Sequence, residues 1–103
     1  MSLPFVSVII PTYGRDESLI GVLEGLFAQD YPHYEVLLID QSEGHGSKTQ
    51  RFLEENRTKF RYHKVSPPSL IEARNSGVGF ASGDIILFCD DDILVKKDFI
   101  RAH

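Results

Sequence analysis

The chain alternates between two hydrophobic periods, one typical of buried strands and one typical of amphipathic helices, over its 103 residues. Strand-like segments, rich in β-branched and aromatic residues, cover 5–10, 34–39, 60–65 and 85–89. Helix-like segments cover 17–29, 47–58 and 69–82, and a fourth helix is expected to begin near Lys96. Helical crossovers between successive strands predict an α/β fold, with a mostly parallel sheet of about four strands and helices on both faces.

Turn and cap residues set the boundaries of these elements. Pro11 is expected to stop the first strand, and Asp16 to cap the first helix with its side chain. The segment 67–69 supplies a proline turn and a serine cap before the third helix. Gly83 is expected to end that helix with a left-handed backbone conformation, as glycines often do at helix C-termini. Gly77 lies inside it, where the close approach of a neighbouring element is one reason for a residue without a side chain.

The charge balance argues against a nucleic-acid partner. The chain has 15 acidic and 11 basic residues, a formal charge of −4, and no run of lysine or arginine. A protein of this composition that holds phosphates needs positive charge from another source, and a bound divalent cation is one.

No stretch of the sequence has the features of a membrane span or a secretory leader. Apolar runs fall well short of the ~20 residues that a spanning helix needs, and the first one leads directly into a polar turn. We therefore expect a cytoplasmic domain at residues 4–103 after an expression leader at 1–3. Peripheral attachment at the inner face of the membrane, through parts of a longer protein, stays open. Cys89 ends an apolar run and is expected to be a buried, unreactive thiol.

Three consecutive aspartates follow the fourth strand directly: Asp90, Asp91 and Asp92. Like charges this close repel one another unless a cation lies between them. Alternate residues leaving a strand point the same way, so Asp90 and Asp92 can converge while Asp91 points elsewhere. Carboxylates of this kind suit Mg²⁺ or Mn²⁺. A solvated acidic turn in which Asp92 caps a helix is the alternative, and spacing alone leaves both open.

Other strand ends bring further polar residues to the same edge of the sheet, where ligands bind in open α/β folds. The first strand delivers the segment 11–15, and the second delivers the segment 40–42, which begins with Asp40. Asp40 is either a strand-end turn residue or an acceptor of hydrogen bonds from a base or ribose. Arg74 either forms a surface ion pair or reaches a diphosphate, for which a guanidinium is well suited.

Other functional signatures are absent from the sequence. Neither the dinucleotide-binding glycine pattern nor the P-loop pattern occurs. The four histidines, at 33, 45, 63 and 103, have no metal-ligand spacing, and we interpret them as surface residues.

Four segments in order, 6–13, 34–42, 72–77 and 83–92, resemble the family 2 glycosyltransferases of the GT-A fold. The resemblance implies the nucleotide-sugar-binding half of such an enzyme. Its donor would be a nucleotide-diphosphate sugar, commonly a UDP-sugar, and its reaction an inverting transfer to a glycan, lipid or other acceptor.

The resemblance also assigns roles to the residues already singled out. Asp40 would contact the uracil or ribose, while the donor-binding set also includes Pro11, Thr12, Tyr13, Arg74 and Asp91. Asp90 and Asp92 would engage the Mg²⁺ or Mn²⁺ ion that bridges the diphosphate.

The sequence departs from the family pattern in two respects. Gln41 stands where the family usually has Asp or Asn. The family's acceptor-binding region and general base lie beyond the position of His103, so we expect no catalytic residue within these residues and little transferase activity from them alone. The sequence leaves open whether the protein forms a homodimer.

Three other functions compete with this interpretation. One is a module that binds a nucleotide sugar without chemistry. Another is a nucleotidyltransferase, although the segment 11–15 lacks the glycine- and lysine-rich loop of that class. The third is a phosphoacceptor receiver domain, whose acidic cluster belongs largely after the first strand.

Overall fold

The computed structural model describes residues 3–14, 16–65 and 70–103, and four strands alternate with three helices within them. The elements are β1 (Val6–Thr12), α1 (Glu17–Phe27), β2 (Tyr34–Asp40), α2 (Ser47–Glu55), β3 (Arg61–Lys64), α3 (Leu70–Phe80) and β4 (Ile85–Phe88). The strands form one sheet in the order β3-β2-β1-β4, and every neighbouring pair is parallel. The predicted α/β fold with a parallel four-stranded sheet is confirmed.

The hydrophobic core lies on both faces of the sheet, because successive strand residues point to opposite faces. The larger cluster, on the face covered by α1 and α2, includes Val8, Ile10, Leu19, Leu23, Leu38 and Leu53. The smaller cluster, on the face covered by α3, contains Ile9, Leu37, Ile39 and Ala73. Helices on both faces of the sheet were predicted, and this prediction is confirmed.

The first strand does not stop at Pro11, contrary to the prediction; β1 continues through it to Thr12. Pairing with β4 ends at Ile9, opposite Phe88. The Ile9 carbonyl accepts the Cys89 N–H on the β4 side, so Pro11, two residues later, has its backbone nitrogen on that same side. Because β4 has already ended there, the missing N–H of proline costs no ladder hydrogen bond.

Two of the predicted helix boundary residues, Asp16 and Gly83, do not have the capping roles predicted for them. Asp16 lies at the N-cap of α1 but makes no side-chain cap hydrogen bond. Gly83 does not have a left-handed backbone; among the described residues only Gly14 has a positive φ, of 68°. A Cβ atom at Gly83 would lie 2.6 Å from the backbone nitrogen of Ser7, so close packing against β1 is what requires glycine there. The predicted turn and cap at 67–69 lie outside the described residues.

The helix expected to begin near Lys96 is absent, and residues 97–102 form turns instead. These turns pack on the end of α1, where the Ile100 N–H donates to the Gln29 side chain and the Lys97 carbonyl accepts the Asp30 N–H. Tertiary hydrogen bonds therefore satisfy backbone groups that a helix would have paired internally. No helix in the described part of the chain has both the length and the apolar character needed to cross a membrane.

The fourth strand is an edge strand and is only half-buried, although its composition predicts a buried one. Its end residues Ile85 and Phe88 are 44% and 43% exposed. A strand at the edge of a sheet has a neighbour on one side only, and the pattern of apolar residues does not reveal which strand that will be.

Replacing Gly77 with alanine is expected to destabilise the protein by about 1–3 kcal/mol, the usual cost of overpacking. The added Cβ would lie 2.5 Å from the Cγ2 atom of Ile9, which is fully buried, so the α3–β1 contact must open. The same change at Gly79, two residues further along α3, meets nothing within 4 Å. It should stabilise the helix by about 0.5–1 kcal/mol. Urea unfolding of both variants tests this, and equal stability of the two would contradict it.

Candidate functional site

The ends of β1, β2 and the segment after β4 are tied together by three hydrogen bonds. Thr12 pairs with Asp40 in the β1–β2 register, and its carbonyl accepts the Gln41 N–H at 2.9 Å. Its hydroxyl donates to Asp91 Oδ2 at 2.8 Å. The Gly14 N–H donates to Ser42 Oγ at 2.8 Å. The structure thus brings the predicted residues Thr12, Asp40 and Asp91 to one edge of the sheet.

The three aspartates are not equivalent. Asp90 and Asp92 are exposed, whereas Asp91 is half-buried and points to Thr12. Strand geometry ends at Phe88, and Asp91 and Asp92 lie in a turn, so the alternation expected of an extended strand does not apply to them. That Asp90 and Asp92 converge on one ion stays a prediction.

The donor set suits an ion held jointly by protein and ligand. No group of three or more His, Cys, Asp or Glu side chains in the described ranges is placed to hold a metal. Mg²⁺ and Mn²⁺ need no such group when one or two carboxylates share the ion with substrate phosphates. Two exposed carboxylates at the edge of the sheet fit this mode of binding.

Asp40 is the most enclosed carboxylate of the site, at 1% exposed. Its Oδ1 atom accepts the Ser42 N–H at 2.9 Å, and its Oδ2 atom accepts the Tyr62 hydroxyl at 2.7 Å. Burial alone would raise the pKa of Asp40, but the hydrogen bonds from Tyr62, His45 and Ser42 outweigh burial and hold the pKa below its ordinary value. Asp40 therefore stays ionised although it is buried.

His45 is not a surface residue, which corrects the interpretation of the histidines. Its side chain is 3% exposed and lies between two carboxylates. Its Nε2 atom is 2.7 Å from Asp40 Oδ2, and its Nδ1 atom is 2.8 Å from Asp16 Oδ1. Burial alone lowers the pKa of His45, but its hydrogen bonds to Asp16 and Asp40 outweigh burial, and the pKa lies above its ordinary value.

The other histidines divide between the surface and the sheet. His33 and His103 are exposed, as expected. His63 is half-buried and stacks on Phe80, with ring centroids 3.8 Å apart. Cys89 is buried, as predicted; burial and the neighbouring Asp90 and Asp91 raise the pKa of its thiol to about 12.

The remaining predicted residues surround this edge of the sheet. Pro11 is half-buried, while Tyr13 is 58% exposed just after β1. Arg74 is exposed on α3, and its guanidinium lies over the Phe88 ring, with the Cζ atom 5.3 Å from the ring centroid. This places Arg74 beside the last residue of β4, on the face opposite α1.

Sequence reasoning missed two members of the site, His45 and Tyr62. One signal was available for His45: it lies between Gly44 and Gly46, in the loop that follows a strand ending in aspartate. Glycines on both sides let a loop fold back on itself. Tyr62 gave no such signal, since its position in an alternating strand fits an ordinary exposed residue.

Residues 7–103 match the sequence model of the family described as Glycosyl transferase family 2. The chain belongs to this family. The match covers β1 through the segment after β4, so it includes every tie between the strand ends described above.

Individual proteins that resemble this chain support the assignment. The glycosyltransferase AglE of Haloferax volcanii is 37% identical over 110 residues, covering 97% of this chain and 34% of that protein. The structure of S. aureus TarS residues 1–349 has a TM-score of 0.78 and 27% identity, covering 95% of this chain and 30% of that one. The mannosyltransferase PcManGT of Pyrobaculum calidifontis, solved with GDP-Man and Mn²⁺, has a TM-score of 0.74 and 26% identity, covering 92% and 30%. The chain thus spans about a third of the length of these relatives.

Proposed function

We propose that this chain forms the donor-binding part of a family 2 glycosyltransferase and holds a nucleotide-diphosphate sugar with the help of a divalent cation. The observation that supports this most directly is the Thr12–Asp91 hydrogen bond of 2.8 Å. It fixes the turn carrying Asp90 and Asp92 against the end of β1, beside the exposed ring of Tyr13. A ligand with an aromatic base at one end and a diphosphate at the other suits such an edge.

Asp90 and Asp92 are the residues proposed to hold the cation, Mg²⁺ or Mn²⁺. When bound, such an ion neutralises the charge that develops on a departing diphosphate. The solved relatives support this choice of ligand: TarS has been crystallised with UDP, and PcManGT with GDP-Man and Mn²⁺. The chain has a formal charge of −4, so a diphosphate ligand would add negative charge to an already acidic protein. A bound divalent cation supplies the positive charge that such a ligand needs.

The nucleoside is proposed to lie along the segment 11–13, with the Tyr13 ring as its stacking surface. Asp91 is proposed as a member of the donor site because its side chain accepts the Thr12 hydroxyl. Asp40 is enclosed by its own neighbours, so its proposed contact with the base or ribose depends on the loop that covers it. Arg74 is proposed to approach the diphosphate from α3, where its guanidinium is exposed.

The transfer itself is a proposal for the whole protein. Its relatives are about three times as long as this chain. An inverting transfer to a glycan, lipid or other acceptor is the proposed reaction. This chain contributes the donor half.

Asp90→Asn and Asp92→Asn are each expected to weaken metal-dependent donor binding by about tenfold or more, the order expected for losing a charge-assisted interaction. Titration calorimetry with UDP-GlcNAc and with GDP-mannose, with Mn²⁺ and with EDTA, measures the effect. Asp98→Asn is the matched control, because Asp98 is an exposed aspartate in the turns beyond the site. Tight binding that survives both EDTA and the two substitutions would remove the cation from the proposal.

A further inference from the structure

We propose that His45 is a positioning residue of the donor site. As an imidazolium shared by Asp16 and Asp40, it locks the loop 41–46 to the N-terminal end of α1. The inference rests on the proposed function, because this loop forms the β2 side of the proposed nucleoside site.

With Asp16 and Asp40 both ionised, the geometry favours a proton on both ring nitrogens. A neutral imidazole has one N–H donor and one lone pair, whereas an ionised carboxylate is an acceptor only. His45 has a carboxylate oxygen within 2.8 Å of each nitrogen. If the ring were neutral, one of these contacts would place a lone pair against a carboxylate. The doubly protonated ring satisfies both contacts and neutralises charge that is otherwise buried at Asp40.

The bridge reaches the proposed nucleoside site through a continuous set of hydrogen bonds. Asp40 accepts the Ser42 N–H, and Ser42 Oγ accepts the Gly14 N–H. Gly14 follows Tyr13 directly and has the left-handed φ of 68°. On the other side, Asp16 Oδ2 accepts the Gly46 N–H at 3.0 Å. His45 therefore sets the position of both ends of the loop that faces the segment 11–13.

The charged and titratable groups around His45 come from four elements. Asp16 faces it from the α1 end and Asp40 from β2, while Tyr62 of β3 reaches it through Asp40. The surrounding elements also carry Glu17, Glu43, Lys48 and Lys64, and Lys64 Nζ contacts the Glu43 carbonyl oxygen at 3.4 Å. Arg15 lies outside the described residues. Among the described residues, the two groups that hydrogen-bond to the His45 ring are carboxylates, so these neighbours favour the protonated state.

Loss of this proton weakens the lock. The pKa of His45 lies above its ordinary value of 6.5, so the bridge is complete below pH 6.5 as long as Asp16 and Asp40 stay ionised, and it is lost as the pH rises through the His45 pKa. Donor affinity should follow the same curve, with tight binding below the pKa and weaker binding above it.

The test measures UDP-GlcNAc binding with Mg²⁺ by calorimetry from pH 6 to pH 9, alongside NMR titration of the His45 ring. UDP-GlcNAc is the probe because it has no phosphate monoester that would titrate in this range. Wild-type affinity is expected to fall by about tenfold as His45 loses its proton, the order for one charge-assisted hydrogen bond. His45→Gln should bind weakly at every pH, with a flat profile. His33→Gln, at an exposed histidine far from the network, should follow the wild type.

Each outcome decides the proposal. Wild-type affinity that stays constant while His45 titrates would overturn it and leave the proposed function standing. Tighter binding by His45→Gln would also overturn it, because His45 would then be shielding Asp40. No binding at any pH would end both the proposed function and this inference. Circular dichroism checks that His45→Gln folds; if it does not, the wild-type profile compared with the NMR titration decides alone.

Discussion

Asp40→Asn is expected to lower the free energy of unfolding by about 3 kcal/mol, since removing one partner of a buried ion pair typically costs 3–5 kcal/mol. The substitution removes the charge that His45 and Tyr62 point to, in a side chain that is 1% exposed. The amide cannot accept on both of its atoms, so at least one buried donor loses its partner. Urea unfolding at pH 6 measures the change.

Asp30→Asn is the control for this effect. Asp30 pairs with Arg101 at 3.2 Å, but both side chains are substantially exposed, and such pairs contribute about 0–1 kcal/mol. If Asp30→Asn and Asp40→Asn destabilise the protein equally, the burial of Asp40 does not explain its contribution to the free energy of unfolding.

The same network predicts how stability depends on pH. The folded-state pKa of His45 is raised, so its contribution is complete below its ordinary value of 6.5 and is lost as the pH rises through the folded value. The folded-state pKa values of Asp16 and Asp40 are lowered, so their contributions are present above 3.8 and are lost as the pH falls through the folded values. The network therefore stabilises the fold most between about pH 4 and pH 6.5. Asp40→Asn should flatten both sides of this profile.

Leu38→Ala is expected to cost about 2–5 kcal/mol, the range for truncating a buried leucine. Leu38 is fully buried in the larger hydrophobic cluster, on a strand with a neighbour on each side. For a domain whose total stability is on the order of 5–15 kcal/mol, this is a large fraction. Thermal or urea unfolding measures it.

Leu94→Ala provides the comparison, because Leu94 is 89% exposed. It should change the unfolding free energy by less than about 0.5 kcal/mol. A Leu38→Ala variant as stable as Leu94→Ala would mean that the cluster on the α1 side does not hold the sheet together.

The sequence predicts the fold well where a signal is local. The apolar runs of β1 and β2, and the helical period of α1, are each complete within about ten residues, and each element forms in the predicted place, although β1 continues through Pro11. The errors occur where a distant residue decides. Backbone groups of Lys96, Lys97 and Ile100 bond to Gln29 and Asp30, just after α1, and β4 is an edge strand because of the sheet order. The hydrophobic periodicity of the sequence reveals neither the tertiary hydrogen bonds nor the order of the strands.

The site divides in the same way. Asp40 and the aspartates at 90–92 are predictable because each lies at or just after the end of an apolar run, and a parallel sheet places strand ends together. His45 was misread because its two partners lie 5 and 29 residues away, and no spacing rule joins them. Whether a histidine is buried between carboxylates depends on how a loop folds back, which the pattern of apolar residues does not encode.

The strand order also sets the sequence of events on the ribosome. β1, β2 and β3 leave the exit tunnel in turn and pair neighbour to neighbour, so this part of the sheet can assemble while the rest is still being translated. β4 joins β1 from the opposite side, after a separation of 79 residues between Val6 and Ile85. The Thr12–Asp91 hydrogen bond therefore cannot form until the segment after β4 has been translated, 79 residues after Thr12.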